Sequence, residues 1–278
     1  MTVVQILLLG LVQGIAELLP VSSSAHVIAA ERLMGLDPTT PQMTFLLVML
    51  HTGTMFAVIA FFWSSWRERY FSSVAAFRSN AQLVIVATVL TGVVGIALLE
   101  LIERVLLRGS AHAEIEHLFG NPYVMAAGLA AAGAMIIGSG LRSRHADVGA
   151  IGLRQAAWIG AVQGICLPFR GFSRSGATIS TGLLLGIARF QAEEFSFALA
   201  VVLTPAVIVK EGYRLMKTIG TSQEVLPYLW PSLLGMTCSF VAGWLALKWL
   251  ARWLERGHWH WFGYYCLVAS GAVLAFGR

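Results

Sequence analysis

The sequence predicts an all-α polytopic membrane protein, with about six transmembrane helices plus two re-entrant helical hairpins in an inverted-topology repeat. Three observations predict this class. Only 12% of the 278 residues are charged, against about 25% in soluble domains, and the mean hydropathy is +0.74. Several segments are long and apolar enough to cross a bilayer. Two further apolar segments are each interrupted by a polar, proline-containing break, and the two breaks resemble each other.

The low charge content excludes a cytosolic or secreted soluble domain, because so few charges cannot cover a water-facing surface. The formal net charge is +5 and the pI about 9.4. We expect no nucleic-acid partner, because arginines in cytoplasmic loops and near acidic headgroups account for this excess. The three cysteines lie far apart in apolar runs without metal-ligand spacing, and we interpret them as core side chains.

Six segments contain about 20 largely apolar residues, which is the length that a spanning helix needs. They lie at about 43–63, 81–103, 122–140, 194–213, 226–250 and 259–277. Aromatic residues near several of their ends are typical of the membrane–water interface. We therefore predict six crossings.

Two apolar stretches, 3–34 and 153–190, are broken near their centres. Each has about 15 mostly apolar residues on either side of the break, and a helix of that length rises only about 22 Å, which is less than ~30 Å of hydrocarbon. Irregular backbone at membrane depth is tolerated only inside the protein or beside a wet cavity. We therefore predict that both stretches form re-entrant helical hairpins with polar tips.

The two hairpins also predict an internal repeat. The triplet Gln-Gly-Ile occurs at 13–15 and again at 163–165. Three predicted crossings follow each hairpin, so the two copies enter the membrane from opposite sides. The prediction is a single membrane domain, 1–278, with repeats at about 3–140 and 153–278. Polar sites in such repeats meet near the midplane at the repeat interface.

Arginine placement predicts the orientation. The segments 64–80, 141–154 and 251–258 are richer in arginine than the alternating loops, so they are expected to be cytoplasmic. Both termini then face the outside, and the first hairpin enters from the outside.

The first break carries a carboxylate. Gln13 and Glu17 are four residues apart and therefore lie on one helix face. Ionisable groups inside membrane segments are functional candidates because their burial is costly. This pair could hold a divalent cation, orient a water or fix a basic partner, and the alternative is a polar pair that only packs helices. His51 could reach the same site, but we interpret it as a helix-packing residue.

The same break predicts an anion site. Pro20 ends the first helix, and Ser22, Ser23 or Ser24 can cap the next one. Hydroxyls and free backbone N–H groups at a helix start bind anions. His26, in the first turn of that helix, is a candidate general acid/base or a nucleophile toward phosphorus. The alternatives are capping alone for the serines and an interfacial role for the histidine.

The second break adds positive charge. It reads Ser173, Arg174, Ser175, Gly176 and then enters another apolar helix. Arginine presents a planar fork that suits phosphate oxygens, and Arg170 supplies a second cation nearby. Two helix starts, a carboxylate, a histidine and these arginines together favour phosphate ester or anhydride chemistry at a membrane.

Both breaks resemble the signatures of a known family, the undecaprenyl-pyrophosphate phosphatases, also called bacitracin-resistance proteins. Residues 13–17 and 20–26 resemble its first signature, Glu/Gln-x-x-x-Glu followed by Pro-Val-Ser-Ser-x-x-His. Residues 171–176 resemble the second, Pro-Gly-x-Ser-Arg-Ser-Gly, and Phe-Ser-Phe at 195–197 is also similar to the family. The resemblance covers almost the whole chain.

The resemblance implies hydrolysis of undecaprenyl pyrophosphate to undecaprenyl phosphate and inorganic phosphate. This reaction recycles the lipid carrier for peptidoglycan synthesis and confers bacitracin resistance. The implied location is the bacterial cytoplasmic (inner) membrane, with the active site facing the periplasm or outside. The implied partners are a polyprenyl pyrophosphate and membrane lipids, and a homodimer is left open.

Site roles follow from the resemblance, position by position. The implied catalytic residues are Glu17, Ser23, His26 and Arg174, and the nucleophile, His26 or a serine, stays open. Gln13 and Glu17 would hold a divalent cation, Mg²⁺ or Ca²⁺. The implied substrate-binding residues are Gln13, Ser22, Ser173 and Ser175. From the residues themselves we add Ser24, Arg170 and Gly176 as substrate-binding candidates.

The chain departs from the family pattern in two places. Gln13 stands at a position that can be acidic, which leaves one fewer charge for a metal. Two extra residues separate Pro168 from Gly171, and one of them is Arg170. We interpret Arg170 as an additional pyrophosphate ligand, in preference to a headgroup contact.

Two other classes compete with a phosphatase of this family. A transporter or lipid flippase also uses inverted repeats with broken helices. The acid-phosphatase-like lipid phosphatases share a Ser-x-His and a Ser-Arg segment, but they need a later histidine, and residues 176–230 contain none.

Overall fold

The computed structural model describes residues 1–37, 40–105, 121–142, 150–219 and 222–276. Over these residues the chain forms ten helices, which confirms the all-α class. They are α1 Val3–Leu18, α2 Ser23–Leu33, α3 Pro41–Arg69, α4 Val74–Val105, α5 Pro122–Arg142, α6 Leu153–Cys166, α7 Arg174–Leu184, α8 Arg189–Ile219, α9 Ser222–Glu255 and α10 Trp259–Phe276.

Four helical stretches are long and apolar enough to cross a membrane, which confirms a polytopic membrane protein. They are Gln42–Arg69, Val74–Arg104, Pro122–Arg142 and Leu229–Glu255. The predicted segments 194–213 and 259–277 also fall within helices, up to residue 276, but these helices are not among the four. Tryptophan, tyrosine and histidine near the start of the second segment lower its mean hydropathy.

Both breaks lie where the sequence places them. The first separates α1 from α2 at residues 19–22, and the second separates α6 from α7 at residues 167–173. Thr2 begins α1 with a capping box, because its hydroxyl accepts from the Gln5 N–H and the Gln5 side chain accepts from the Thr2 N–H. The re-entrant depth of the hairpins stays a prediction.

The predicted repeat stays a prediction, although the helices of the two halves have similar lengths. The first five helices have 16, 11, 29, 32 and 21 residues, and the next five have 14, 11, 31, 34 and 18. The inverted relation of the two copies and the orientation in the membrane stay predictions. Residues 143–149 of the arginine-rich segment 141–154 lie outside the described residues.

The chain divides into two compact units. One contains Met1–Leu19, Ser23–Ser65 and Ala200–Leu250. Its core cluster is Ile6, Leu9, Val27, Met43, Leu46 and Leu50. In this unit α1 packs closely on α9, and the buried Ser239 hydroxyl donates to the Leu50 carbonyl at 2.9 Å. These contacts fix the C-terminal half of α1 and the middle of α3.

The other unit contains Pro20–Ser22, Trp66–Leu199 and Ala251–Arg278. In it α7 is buried from Ser175 through Leu183. The Trp259 indole N–H lies 3.1 Å from the Ser139 hydroxyl and 3.2 Å from the Ser180 hydroxyl, which ties α10, α5 and α7 together. A short buried helix is thus held on several sides, and its first residue is Arg174.

Candidate active site

Three polar side chains of the first break meet at one oxygen atom. The Ser23 hydroxyl donates to Glu17 Oε2 at 2.6 Å, and the Gln13 amide donates to the same oxygen at 3.2 Å. Gln13 is buried, whereas the Glu17 side chain is 18% exposed. A carboxylate that accepts a short hydrogen bond from a hydroxyl can take up the proton of that hydroxyl.

Local backbone geometry brings the serine to the carboxylate. Gln13 reaches Glu17 because residues four apart share a helix face. After Pro20 the chain turns at Ser22, which is buried and has a φ of 68°. A left-handed residue other than glycine costs of the order of 1 kcal/mol. This turn allows α2 to begin at Ser23 beside the end of α1.

The remaining residues of the first motif lie at the start of α2. Ser24 and His26 are both half-buried in its first turn. The predicted placement of the histidine in that turn is therefore confirmed, and its role stays a prediction.

His51 also contacts Glu17. Its Nε2 lies 3.8 Å from Glu17 Oε2, and its Nδ1 lies 2.8 Å from the Leu47 carbonyl oxygen. The expectation that His51 can reach the site is therefore confirmed, and its interpretation as a helix-packing residue stays a prediction. The sequence did contain one indication of a functional role: His51 is an ionisable residue within a predicted span, and such residues are functional candidates.

The second motif forms the capped start of α7. Ser173 is the N-cap, and its hydroxyl accepts from the Gly176 N–H at 3.2 Å. The Ser173 and Ser175 hydroxyls lie 3.4 Å apart, and both side chains are buried. The structure therefore brings Ser173, Ser175 and Gly176 together at the positive end of a helix.

Arg174 is the first residue of α7, and a threonine that the sequence analysis did not single out supports it. The Thr178 hydroxyl donates to the Arg174 carbonyl at 2.8 Å and lies 2.6 Å from the Ser196 hydroxyl of α8. The first turn of α7 is thus tied to α8. The signals for this contact were the spacing of four residues from Arg174 and the Phe-Ser-Phe run at 195–197.

Comparison with known proteins identifies the family. The family described as bacitracin resistance protein BacA matches residues 6–272. The chain belongs to the BacA family. This result confirms the resemblance seen in both breaks, and it disfavours the transporter and acid-phosphatase-like classes.

Several named proteins are similar to this chain over nearly their full length. An undecaprenyl-diphosphatase 2 of Acinetobacter baylyi is 59% identical over 279 residues, covering 99% of this chain and 98% of the relative. An undecaprenyl-diphosphatase of Thermus thermophilus is 36% identical over 275 residues, covering 97% and 95%. One of Desulfosudis oleivorans is 32% identical over 299 residues, covering 99% and 98%.

The lengthened second loop of this BacA chain is accommodated by α5. Gly171 has a φ of 96°, and a Cβ atom there would collide with the Met125 carbonyl. A Cβ atom on Gly128 would lie 2.6 Å from the Phe172 nitrogen. The loop therefore lies directly on the α5 backbone, and its Arg170 side chain is exposed. The role of Arg170 as a pyrophosphate ligand stays a prediction.

The donor atoms of the first cluster fit a cation that is shared with a substrate. No group of three or more His, Cys, Asp or Glu residues that could hold a metal ion occurs in the part of the chain that the structure describes. Glu17 offers a carboxylate, and Gln13 offers an amide oxygen. Mg²⁺ commonly binds through one or two carboxylates plus phosphate oxygens of a substrate, so this small donor set suits it.

Proposed function

We propose that this BacA-family chain hydrolyses undecaprenyl pyrophosphate to undecaprenyl phosphate and inorganic phosphate. The observation that carries the proposal is the 2.6 Å hydrogen bond from Ser23 to Glu17 at the polar tip of the first hairpin. Relatives named undecaprenyl-diphosphatase that match nearly the whole chain support the choice of substrate.

In the proposed reaction Glu17 accepts the proton of Ser23. The Ser23 oxygen attacks the terminal phosphorus, a new O–P bond forms, and the bridging P–O bond breaks. Its electron pair leaves with undecaprenyl phosphate, and water then releases inorganic phosphate from the serine. The sequence left His26 and a serine open as nucleophile, and the short hydrogen bond favours Ser23. His26 is the candidate acid for the departing oxygen.

The start of α7 is proposed to bind phosphate oxygens. Arg174 presents a permanent positive charge, and the N-terminal N–H groups of the helix favour anions. Phosphoryl transfer depends on positioning and on stabilising negative charge. Ser173 and Ser175, buried beside that helix start, would add hydroxyl donors. Arg174 is therefore proposed to stabilise the charge on the transferred phosphoryl group.

A divalent cation, Mg²⁺ or Ca²⁺, is part of the proposal. Glu17 and the amide oxygen of Gln13 would hold it, and it would neutralise charge on the pyrophosphate. The proposed setting is the bacterial cytoplasmic membrane, with the site facing the periplasm and lipids surrounding the spans. The proposed roles in lipid-carrier recycling and bacitracin resistance follow from this activity, and a homodimer stays a prediction.

The test is inorganic phosphate release from undecaprenyl pyrophosphate by the purified protein in detergent, with Mg²⁺ and with a chelator. We expect Glu17→Ala and Arg174→Ala each to lower kcat by about 100-fold or more, since each removes a group that acts on the transition state. Chelation should lower the rate of the wild type.

Matched controls come from an exposed ion pair on α4. Glu100 and Arg104 lie four residues apart with 3.0 Å between their charged groups. Such a pair contributes little to stability. Glu100→Ala and Arg104→Ala should therefore release phosphate at the wild-type rate. A well-folded wild type that releases no phosphate would contradict the proposal.

A further inference from the structure

His51 is fixed on α3 by its own backbone. Its Nδ1 lies 2.8 Å from the Leu47 carbonyl oxygen, one turn earlier. A carbonyl oxygen only accepts hydrogen bonds, so Nδ1 carries the hydrogen. This bond determines the rotation of the ring and leaves Nε2 as the nitrogen that points away from the helix backbone.

The helix turn that carries His51 is itself held in place. The neighbouring Leu50 is fully buried, and its carbonyl accepts from Ser239 on α9 at 2.9 Å. The Thr54 hydroxyl donates to the His51 carbonyl at 2.8 Å. The ring therefore projects from a turn whose position is set by hydrogen bonds on both sides.

The fixed Nε2 faces the proposed proton acceptor. It lies 3.8 Å from Glu17 Oε2, which is within ion-pair range and longer than a hydrogen bond. With Nδ1 occupied by the Leu47 carbonyl, Nε2 is the ring nitrogen that remains to face the Glu17 carboxylate. The same carboxylate oxygen accepts from Gln13 and from Ser23.

We infer that His51 is a positioning residue for Glu17, an inference that rests on the proposed function. Oε2 is then approached from three helices: Gln13 on α1, Ser23 on α2 and His51 on α3. Each contact restricts rotation of the carboxylate about its side-chain bonds. Misplacing a reacting group by about 1 Å can lower a rate by about 100-fold, so this restraint favours efficient proton transfer from Ser23.

Two substitutions separate this role from helix packing. In His51→Gln an amide donor occupies the place of Nε2, toward Glu17, whereas in His51→Asn it occupies the place of Nδ1, toward Leu47. If His51 positions Glu17, the Gln variant should keep kcat within about threefold of the wild type. The Asn variant should lose about 10-fold or more, with KM changed by less than about twofold.

The control is Thr52→Val on the same helix. The Thr52 hydroxyl makes the same kind of bond one turn back, to the Val48 carbonyl at 2.8 Å. This variant should keep the wild-type kcat. The inference would be overturned if the Asn and Gln variants had equal activity, whether both retained it or both lost it. Packing alone would then explain His51.

A second measurement does not need turnover. Ring ¹⁵N signals of His51, identified by their loss in His51→Gln, are compared between the wild type and Glu17→Gln. We expect these signals to shift when the carboxylate is replaced. Unmoved signals would overturn the inference about His51, whereas a wild type that releases no phosphate would overturn the proposed function.

Discussion

The two hairpins share a Gln-Gly-Ile triplet but use its glutamine differently. In the first, Gln13 donates to Glu17 four residues later at 3.2 Å. In the second, Gln163 donates to the Thr91 hydroxyl of α4 at 3.1 Å. That hydroxyl in turn donates to the Gly160 carbonyl at 2.9 Å. One glutamine thus supports a carboxylate, and the other joins two helices.

The glycines of the triplet, in contrast, have the same role in both hairpins, which is to allow close helix packing. A Cβ atom on Gly14 would lie 2.7 Å from the Ser239 carbonyl oxygen, and one on Gly164 would lie 2.8 Å from the Thr91 carbonyl oxygen. Each allows its helix to approach a long helix backbone to backbone. Close helix packing is therefore common to both copies, whereas the chemistry differs, since Leu167 stands where the first copy has Glu17.

The largest expected effect concerns the position at which the two hairpins differ, residue 17 in the first and residue 167 in the second. Glu17→Gln should lower kcat for phosphate release by about 100-fold or more, because it removes the proton acceptor of Ser23. Leu167→Gln, at the corresponding position of the second hairpin, should leave kcat within about threefold, as that side chain is exposed. Equal losses in both variants would mean that the second hairpin contributes at this position too.

The next largest effect is a loss of stability when the close helix packing is disturbed, and this loss should be equal in both hairpins. Gly14→Ala and Gly164→Ala should each lower the free energy of unfolding by about 2 kcal/mol, because the added methyl group presses against a backbone carbonyl. Denaturant titration in detergent measures this. Gly92→Ala on α4 is the control, since a Cβ atom there would meet nothing within 4 Å. A stable Gly14 variant would contradict the shared packing role.

The glutamines should separate activity from stability. Gln13→Leu should lower kcat by about 10-fold with little change in unfolding, because it removes a partner of Glu17. Gln163→Leu should lower the free energy of unfolding by about 1 kcal/mol and keep kcat, because it removes a buried bond between helices. The pair is measured by phosphate release and by denaturant titration. If Gln163→Leu lowers kcat and Gln13→Leu lowers only the free energy of unfolding, the catalytic role of the first hairpin is contradicted.

The sequence predicted the breaks well because their causes are local. Proline and serine end one helix and begin the next within a few residues, so the predicted hairpin 3–34 agrees with α1 and α2. The approach of Gln13 to Glu17 followed equally from helix geometry. Their position in one cluster with Ser23 needed only a short turn.

The contact between His51 and Glu17 could not be predicted in the same way. It depends on which face α3 turns toward α1, and a helix that is apolar on all sides does not show this in its sequence. The bond between Thr178 and Ser196 depends likewise on how α7 packs against α8. Contacts of this kind depend on tertiary packing, which residue types do not reveal. The sequence therefore favoured a packing role for His51.

The last comparison concerns the two helix starts, where the expected change in stability is small. Ser23 gives its hydroxyl hydrogen to Glu17, whereas Ser173 uses its hydroxyl oxygen to cap α7. Ser173→Ala should therefore lower the free energy of unfolding by about 1 kcal/mol, and Ser173→Asn, which can still cap, should restore most of it. Ser23→Ala should leave unfolding nearly unchanged while phosphate release is lost. If Ser173→Ala unfolds like the wild type, its hydroxyl is not needed as a cap, and its burial beside Arg174 would favour substrate binding as its main role.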